Sequence, residues 1–286
     1  AEEWGVNDDV VLIAGVGDGQ ASGLGTNAIA EDVAYVNVGT SVVCGIHTKS
    51  YAYDPSYRTL LAGIPGQYVL EIVQNSGSVL LNWFRKELGD PALDGRIDPK
   101  LDEAAAQVPL GSEGLLTVPY WNAVQSPYWE PFAKGVMVGF GSAHTRAHMY
   151  RAIIEGLAYA LREGMERIER RSRTKVTELR VSGGGSQSDQ AMQITADIFG
   201  LPTARPHIYE TSGLGAAIDA AVGIGIHPSF ETAVAEMTRL GDVFDPNPES
   251  AKVYDALYRR VYLKMYERLK PLYEEIRAIT RYPQQP

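Results

Sequence analysis

Three stretches of this chain hold residue types that can do chemistry beside a phosphate. Gly15 to Gly25 reads GVGDGQASGLG and sets one carboxylate, Asp18, among glycines. It follows Val10-Val11-Leu12-Ile13-Ala14, an apolar run that predicts a buried strand over Val10 to Gly15. A carboxylate at the end of such a strand is placed to act as a general base, given a phosphate-holding turn beside it. Gly39-Thr40-Ser41 is a candidate for that turn, since its backbone N–H groups and hydroxyls can meet a terminal phosphate. Gly183-Gly184-Gly185-Ser186 is the third stretch. It follows the strand-like run Val176 to Val181 and opens a helix over Gln190 to Phe199. Glycines there let backbone approach a ligand, and the helix adds free N–H groups and the positive end of its dipole. The turn is neither GxGxxG nor GxxxxGKS, which excludes the Rossmann and P-loop readings. Each stretch alone also reads as a plain turn.

The elements that must position these turns follow from periodicity. After a short helix at Gln20 to Leu24, Ala34 to Val38 and Val42 to Ile46 form a hairpin around Gly39-Thr40-Ser41. Tyr68 to Val73 is a strand leading through Gln74-Asn75-Ser76-Gly77 into a helix over Ser78 to Leu88, with Gly89 past its end. A short helix at Leu101 to Val108 and a strand at Leu115 to Tyr120 precede the loop Trp121 to Pro131. Two tryptophans and a tyrosine in that loop either line a pocket or pack on a neighbour. The longest periodic helix is His144 to Arg171, with Met149, Ile153, Leu157, Leu161 and Ile168 on its apolar face. Its Gly156, Ala160 and Gly164 recur every four residues and admit another element closely. Gly213 to Val222 is a small-residue helix. The last helix, Ala251 to Ile279, carries the core stripe Val253, Leu257, Val261, Met265 and Leu269, with four tyrosines beside it, and Pro271 should kink or break it. Strands alternating with helices after an antiparallel start give an α/β class, a mixed sheet with helices on its faces.

The bulk numbers exclude several classes. The 286 residues suit one domain, with no repeat or linker. A net charge of −9 disfavours a nucleic-acid surface, and no apolar run reaches the ~20 residues of a membrane span. The single cysteine, Cys44, sits in an apolar run and reads as a buried small hydrophobe in a reducing, cytoplasmic setting. His144 and His148 are four apart without a further Cys or His, so no metal-ligand set is expected. The chain starts at Ala1 rather than Met, which reads as a piece of a larger protein.

Taken together, these stretches resemble the carboxy-terminal domain of the FGGY family of carbohydrate kinases, which includes xylulose, ribulose, gluconate and glycerol kinases. The likeness runs through nearly the whole chain, 1–286. It rests on GVGDGQASGLG at 15–25, YVNVGTS at 35–41, PYWNAVQSPYWEPFAKGVMVG at 119–139, HTRAHMYRAIIEGLAYALRE at 144–163, SGGGSQSDQAMQITADIFGLP at 182–202 and ETSGLGAAIDAAVGIG at 210–225. It implies an actin-like ATPase, ribonuclease-H-like fold, and phosphoryl transfer from ATP with Mg²⁺ to a sugar or polyol. A xylulose-kinase-like enzyme is the leading expectation, with a homodimer as the candidate assembly. By position, Asp18 matches the family's catalytic base. Gly39 and Thr40 match the turn that meets the phosphates, and Gly184, Gly185 and Ser188 fall where the adenosine is held. Gly77, Ser78 and Asn82 fall near the other nucleotide contacts. Two departures concern the acceptor: Asn122-Ala123-Val124-Gln125 lacks the Glu and Arg of many members, and Gly19 stands where some place an amide. The family's amino-terminal domain, with most sugar contacts, is not in this chain. A nucleotide-binding regulatory module without transfer, a structural ATPase, and a ribulose- or glycerol-type kinase remain as alternatives; Asp18 is the residue a pure binder would not require.

Overall fold

The computed structural model of the chain describes residues 9–96 and 98–282, together with Glu3, Gly5 and Asn7. Its centre is a seven-stranded mixed sheet in the order β3-β4-β2-β1-β7-β8-β9. β1 (Val33–Val38) and β2 (Val42–Thr48) form the expected hairpin, with β4 (Tyr68–Gln74) antiparallel to β2 and β3 (Arg58–Leu61) at the edge. On the other side β1 runs parallel to β7 (Glu178–Ser182), and β7 parallel to β8 (Thr203–Pro206). β9 (Leu240–Phe244) closes that edge antiparallel to β8. Side chains alternate even on β1, which is apolar but for Asn37. Ala34 and Val36 pack with Leu161 and Met165, whereas Val33 and Tyr35 face the opposite layer with Ala28 and Val69.

One layer consists of α1 (Asp18–Gly25), α6 (Thr211–Gly223) and α7 (Phe230–Met237). α1 and α6 touch backbone to backbone. A Cβ on Gly215 would lie 1.8 Å from the Ala21 carbonyl oxygen, and one on Gly25 would lie 2.0 Å from that of Thr211. The other layer is α4 (Arg146–Ser172) and α5 (Asp189–Phe199). Gly156 and Gly164 of α4 do admit close neighbours: their Cβ positions fall 2.5 Å from the Thr117 carbonyl and 2.4 Å from Ile72 Cδ1. α2 (Ser78–Leu88), α3 (Pro99–Gln107) and the ribbon β5 (Leu116–Val118) and β6 (Val136–Val138) flank α4. His148 closes the amino end of α4: its Nδ1 accepts from the Thr145 N–H at 3.2 Å, and its Nε2 lies 3.3 Å from Glu113.

α8 (Pro248–Arg260) and α9 (Met265–Thr280) cover the far side of α4, and here two expectations fail or shift. The last helix is broken at Val261 to Lys264, while Pro271 sits inside α9. The carbonyl that Pro271 leaves unpaired belongs to exposed Glu267, where water can replace the missing donor. The most buried row is the tyrosines: Tyr254 and Tyr258 are 0% exposed, whereas of the aliphatic stripe Met265 is buried, Leu257 and Leu269 pack against the core, and Val253 and Val261 are 44% and 42% exposed. The reason is polar. Tyr254 donates to Glu155 at 2.7 Å and Tyr258 to Glu166 at 3.2 Å, so the row satisfies carboxylates that α4 holds against it. The third correction concerns Val10 to Gly15. It is irregular rather than a buried strand, with Val10 54%, Val11 61% and Leu12 77% exposed. Cys44 is buried, and burial pushes its thiol well up.

Two outcomes follow from this packing. Gly215→Ala should lose about 1–3 kcal/mol of stability, the usual cost of overpacking. Gly213→Ala, two residues earlier with nothing within 4 Å, should be neutral or slightly stabilising; equal melting temperatures for the two variants would refute the close α1–α6 contact. His47 is buried against the Ala28 carbonyl at 2.8 Å, and burial lowers its pKa to about 4. A depressed histidine contributes stability that is complete above the unfolded pKa near 6.5 and is lost as pH falls through about 4. His47→Gln should therefore flatten the loss of stability between those pH values by up to about 3 kcal/mol, read by urea unfolding of both proteins at each pH.

Candidate active site

β1 and β7 are parallel neighbours with Asn37 opposite Ser182, so the turns leaving both strands meet at one edge. Ligands of open α/β sheets bind at such carboxyl ends. The contact is tight. Gly183 has φ +79°, and a Cβ there would lie 2.7 Å from both Asn37 Oδ1 and the Val38 carbonyl. From Gly183 the chain makes one 3₁₀ turn, Gly184–Gln187, and enters α5 at Ser188, whose hydroxyl accepts from the Ala191 N–H at 3.3 Å.

The Gly39-Thr40 turn carries α2. The Gly39 carbonyl accepts from the Ser78 N–H at 2.9 Å and from its hydroxyl at 2.5 Å; the Thr40 carbonyl accepts from the Gly77 and Val79 N–H groups at 3.2 and 3.4 Å. Gly77 is buried under this turn, and a Cβ there would sit 2.8 Å from the Gly39 carbonyl oxygen. Its place in the fold is to let α2 seat on the hairpin. Thr40 is exposed, and its N–H has no acceptor among the described residues.

Ligand pockets commonly measure roughly 300–1,000 Å³; the cavity between α2, α4 and α5 measures ≈ 610 Å³. Ser78, Asn82, Gly184, Gly185 and Ser188 all line it. Gly39, Thr40 and Gly77 stand behind Ser78 and do not line it. The walls are Ile154, Leu157 and Leu161 of α4 with Val38, Val42 and Val181 of the sheet. Leu157 and Leu161 were legible as an apolar helix face, but nothing local marked them as facing a cavity. Arg85, Asp102, Gln190 and Thr195 also line it and were missed, because one polar residue on a helix gives no signal of what it faces.

Asp18 begins α1 rather than ending a strand, and it is exposed. Its Oδ1 accepts from the Gly19 N–H at 2.9 Å, and its carbonyl accepts from Ser212 Oγ at 2.9 Å. Ser212 Oγ also accepts from Asn37 Nδ2 at 3.4 Å, which ties Asp18 to the end of β1 two residues before Gly39. Gly19 lies over the fully buried Glu71: a Cβ there would be 2.4 Å from Oε2. That carboxylate is held by Tyr35 OH at 2.5 Å and Arg58 Nε at 2.8 Å, so a side chain at 19 would collide with a fixed group. Burial, then the Glu71 charge, raise the Tyr35 pKa, which keeps it a donor.

The Trp121 to Pro131 loop packs and does not line the cavity. Gln74 Nε2 donates to the Ser126 carbonyl at 2.7 Å, Tyr128 stacks on Tyr266 at 3.6 Å, and Trp121 meets Trp83 at 5.3 Å. Among the described residues no group of three or more His, Cys, Asp or Glu is placed to hold a metal ion.

Comparison with known proteins places this geometry. Residues 34–224 match the model of the FGGY family of carbohydrate kinases, C-terminal domain, a match that begins after Asp18. The chain is 30% identical over 282 residues to a xylulose kinase of Staphylococcus epidermidis, covering 98% of this chain and 56% of that protein. It is 36% identical over 228 residues to a glycerol kinase of Deinococcus radiodurans, covering 77% of this chain and 44% of that protein. The crystal structure of a ligand-bound xylulose kinase from Lactobacillus acidophilus superposes with a TM-score of 0.85 at 28% identity, over 96% of this chain and 55% of that one. The chain thus spans about half the length of the curated relatives it matches. It belongs to the FGGY family of carbohydrate kinases and has the family's actin-like ATPase fold, a mixed sheet flanked by helices.

The three glycines of the second turn separate by what a Cβ would meet. At Gly184 there is nothing within 4 Å, whereas at Gly185 it would fall 2.3 Å from Val38 Cγ1. Gly184→Val should leave the melting temperature within a few degrees and weaken ADP binding roughly five- to a hundredfold, measured by isothermal titration. Gly185→Ala should lower the melting temperature. Unchanged ADP affinity in Gly184→Val would remove the nucleotide from this turn.

Proposed function

We propose that this member of the FGGY family is the nucleotide-binding half of an ATP-dependent kinase that phosphorylates a hydroxyl of a sugar or polyol, with Asp18 as general base. The observation that carries the reading is the convergence at one sheet edge: Asp18, the Gly39-Thr40 turn and the Gly183 turn meet at the ends of β1 and β7, beside the ≈ 610 Å³ cavity. The similarity to xylulose kinases over nearly the whole chain favours a ketopentose acceptor.

The residues divide the work. The cavity fits an adenine nucleotide: apolar walls for the base, a polar rim at Ser78, Asn82 and Ser188, and open space over the Gly184 backbone. Thr40 is exposed and its N–H has no acceptor among the described residues, which leaves it as a donor for a phosphate oxygen beside the cavity. When bound, ATP supplies the γ-phosphoryl group, and Mg²⁺ would be carried chiefly on phosphate oxygens and water, as this ion usually is. Asp18 takes the proton from the acceptor hydroxyl. One of its oxygens is held by the Gly19 N–H, which fixes the carboxylate and leaves the second oxygen for the proton. The fixed Glu71 beneath Gly19 keeps the start of α1 in place without a side chain that would intrude on the acceptor. We assign the other wall of the cleft, with most acceptor contacts, to an amino-terminal domain outside this chain.

In the protein carrying both halves, Asp18→Asn should reduce sugar phosphorylation by ~10²–10⁴-fold, the usual worth of a general base. ADP affinity should stay within about threefold, because Asp18 does not line the cavity. Coupled turnover assays and ADP titration read the two quantities. Turnover within about tenfold of wild type would leave Asp18 without the base role.

A further inference from the structure

A polar row crosses the sheet beneath the start of α1. Tyr35, Gly45, Glu71 and Arg58 are successive cross-strand partners on β1, β2, β4 and β3, so their side chains share the face that α1 covers. Gly45 leaves the gap that joins them: a Cβ there would fall 2.9 Å from the Tyr35 hydroxyl. The phenol reaches over it to Glu71 Oε2 at 2.5 Å. Arg58 meets Oε1 from the other side, with Nε at 2.8 Å and Nη2 at 2.5 Å. The row ends in the open: the Glu71 side chain is 0% exposed and that of Arg58 is 42% exposed. Nη1 of Arg58 has no acceptor among the described residues.

That open end stands beside the proposed base. Gly19 rests on Oε2 of the carboxylate whose Oε1 holds Arg58, and Gly19 follows Asp18 directly. The loop after β3 meets the same segment, since a Cβ on Gly63 would lie 3.2 Å from Val16 Cγ1. A buried carboxylate needs a cation, and Nε and Nη2 supply it on a single oxygen. The remaining N–H groups are spare, on a group whose charge is already matched. Such donors suit a neutral hydroxyl or keto oxygen rather than a carboxylate. We propose that Arg58 is an acceptor-specificity residue: Nη1 donates to an oxygen of the sugar remote from the hydroxyl that Asp18 deprotonates. Gly19 and the width of the Glu71 carboxylate separate the two side chains, so an acceptor must be several carbons long to meet both. This selects an uncharged ketose or longer polyol over glycerol and over a sugar acid. The inference rests on Asp18 marking the acceptor hydroxyl, as proposed above.

The test measures kcat/KM in the protein carrying both halves, with three acceptors: a ketopentose (the better of D-xylulose and D-ribulose), glycerol and D-gluconate. Melting temperatures are read for each variant. The unsubstituted protein should favour the ketopentose over both others by about tenfold or more. Arg58→Lys keeps a cation on Glu71 but spends its one nitrogen there. It should lower kcat/KM for the ketopentose about tenfold and leave glycerol within about threefold. Tyr35→Phe removes a bond to Glu71 and no donor to the acceptor. It should lower the melting temperature and change the two acceptors by similar factors. An unchanged ketopentose-to-glycerol ratio in Arg58→Lys, the same ratio change in Tyr35→Phe, a larger loss of melting temperature in Arg58→Lys than in Tyr35→Phe, or gluconate as the best acceptor would overturn the specificity role alone. An unsubstituted protein that phosphorylates none of the three, or Asp18→Asn that keeps its turnover, would overturn the kinase reading of this site and this inference with it.

Discussion

The arrangement rests on how α4 is held. It is buried for most of its length, and it buries Arg151, Glu155, Arg162 and Glu163 along with its apolar residues. Buried charges are stable only when paired and hydrogen-bonded, and the bonds here come from α4 itself and from the elements around it. Glu155 takes the Arg151 guanidinium at 2.9 Å, Tyr254 of α8 at 2.7 Å and the Ser112 hydroxyl at 2.9 Å. Arg162 reaches the last turn of α5 through the Ile198 carbonyl at 2.8 Å and also pairs with Asp255 of α8. Burial still pushes the Glu155 carboxyl above its ordinary range, which shows how far this interior is from water. Removing one partner of a buried pair typically costs about 3–5 kcal/mol, so the rotation of α4 about its axis is strongly fixed.

That rotation decides the cavity. Ile154, Leu157 and Leu161 line it only while Arg151, Glu155 and Arg162 point away toward α5, α8 and the Ser112 loop. Gly164 then sets the depth of α4 on the sheet, through the contact of its backbone with Ile72. The polar side of one helix thus holds its apolar side as a wall. The Ser112 loop shows the local cost of this arrangement: Gly111, Ser112 and Glu113 all adopt positive φ, at 72°, 49° and 53°. In return the Gly111 N–H and the Ser112 hydroxyl reach Glu155.

What the sequence revealed tracks how local the cause was. Glycine turns were legible because glycine identity itself reports a backbone need, and the Ser78–Leu88 helix was legible because period and stop signal agreed. The tyrosine row of α8 was misread because Tyr254 and Val253 lie one residue apart on stripes of the same period. Periodicity cannot choose between them. The choice is made by Glu155 and Glu166, roughly a hundred residues earlier, which need hydroxyl donors. The Val10 to Ala14 run failed in the opposite way: its composition is that of a buried strand, but among the described residues nothing covers Val10 to Leu12. β8, β9 and α7 were missed altogether; β9 is largely exposed and carries no run of apolar residues to announce it.

The same locality governs the site. Of the glycines in and around the three motifs, several answer to the protein rather than to a ligand. Gly25 and Gly215 bring two helices together, Gly77 seats α2, Gly183 lets two turns touch, and Gly19 clears Glu71. Gly15 and Gly184 meet nothing within 4 Å, and of the two only Gly184 lines the cavity. A glycine that the fold does not require is the one whose smallness is left for a ligand to explain.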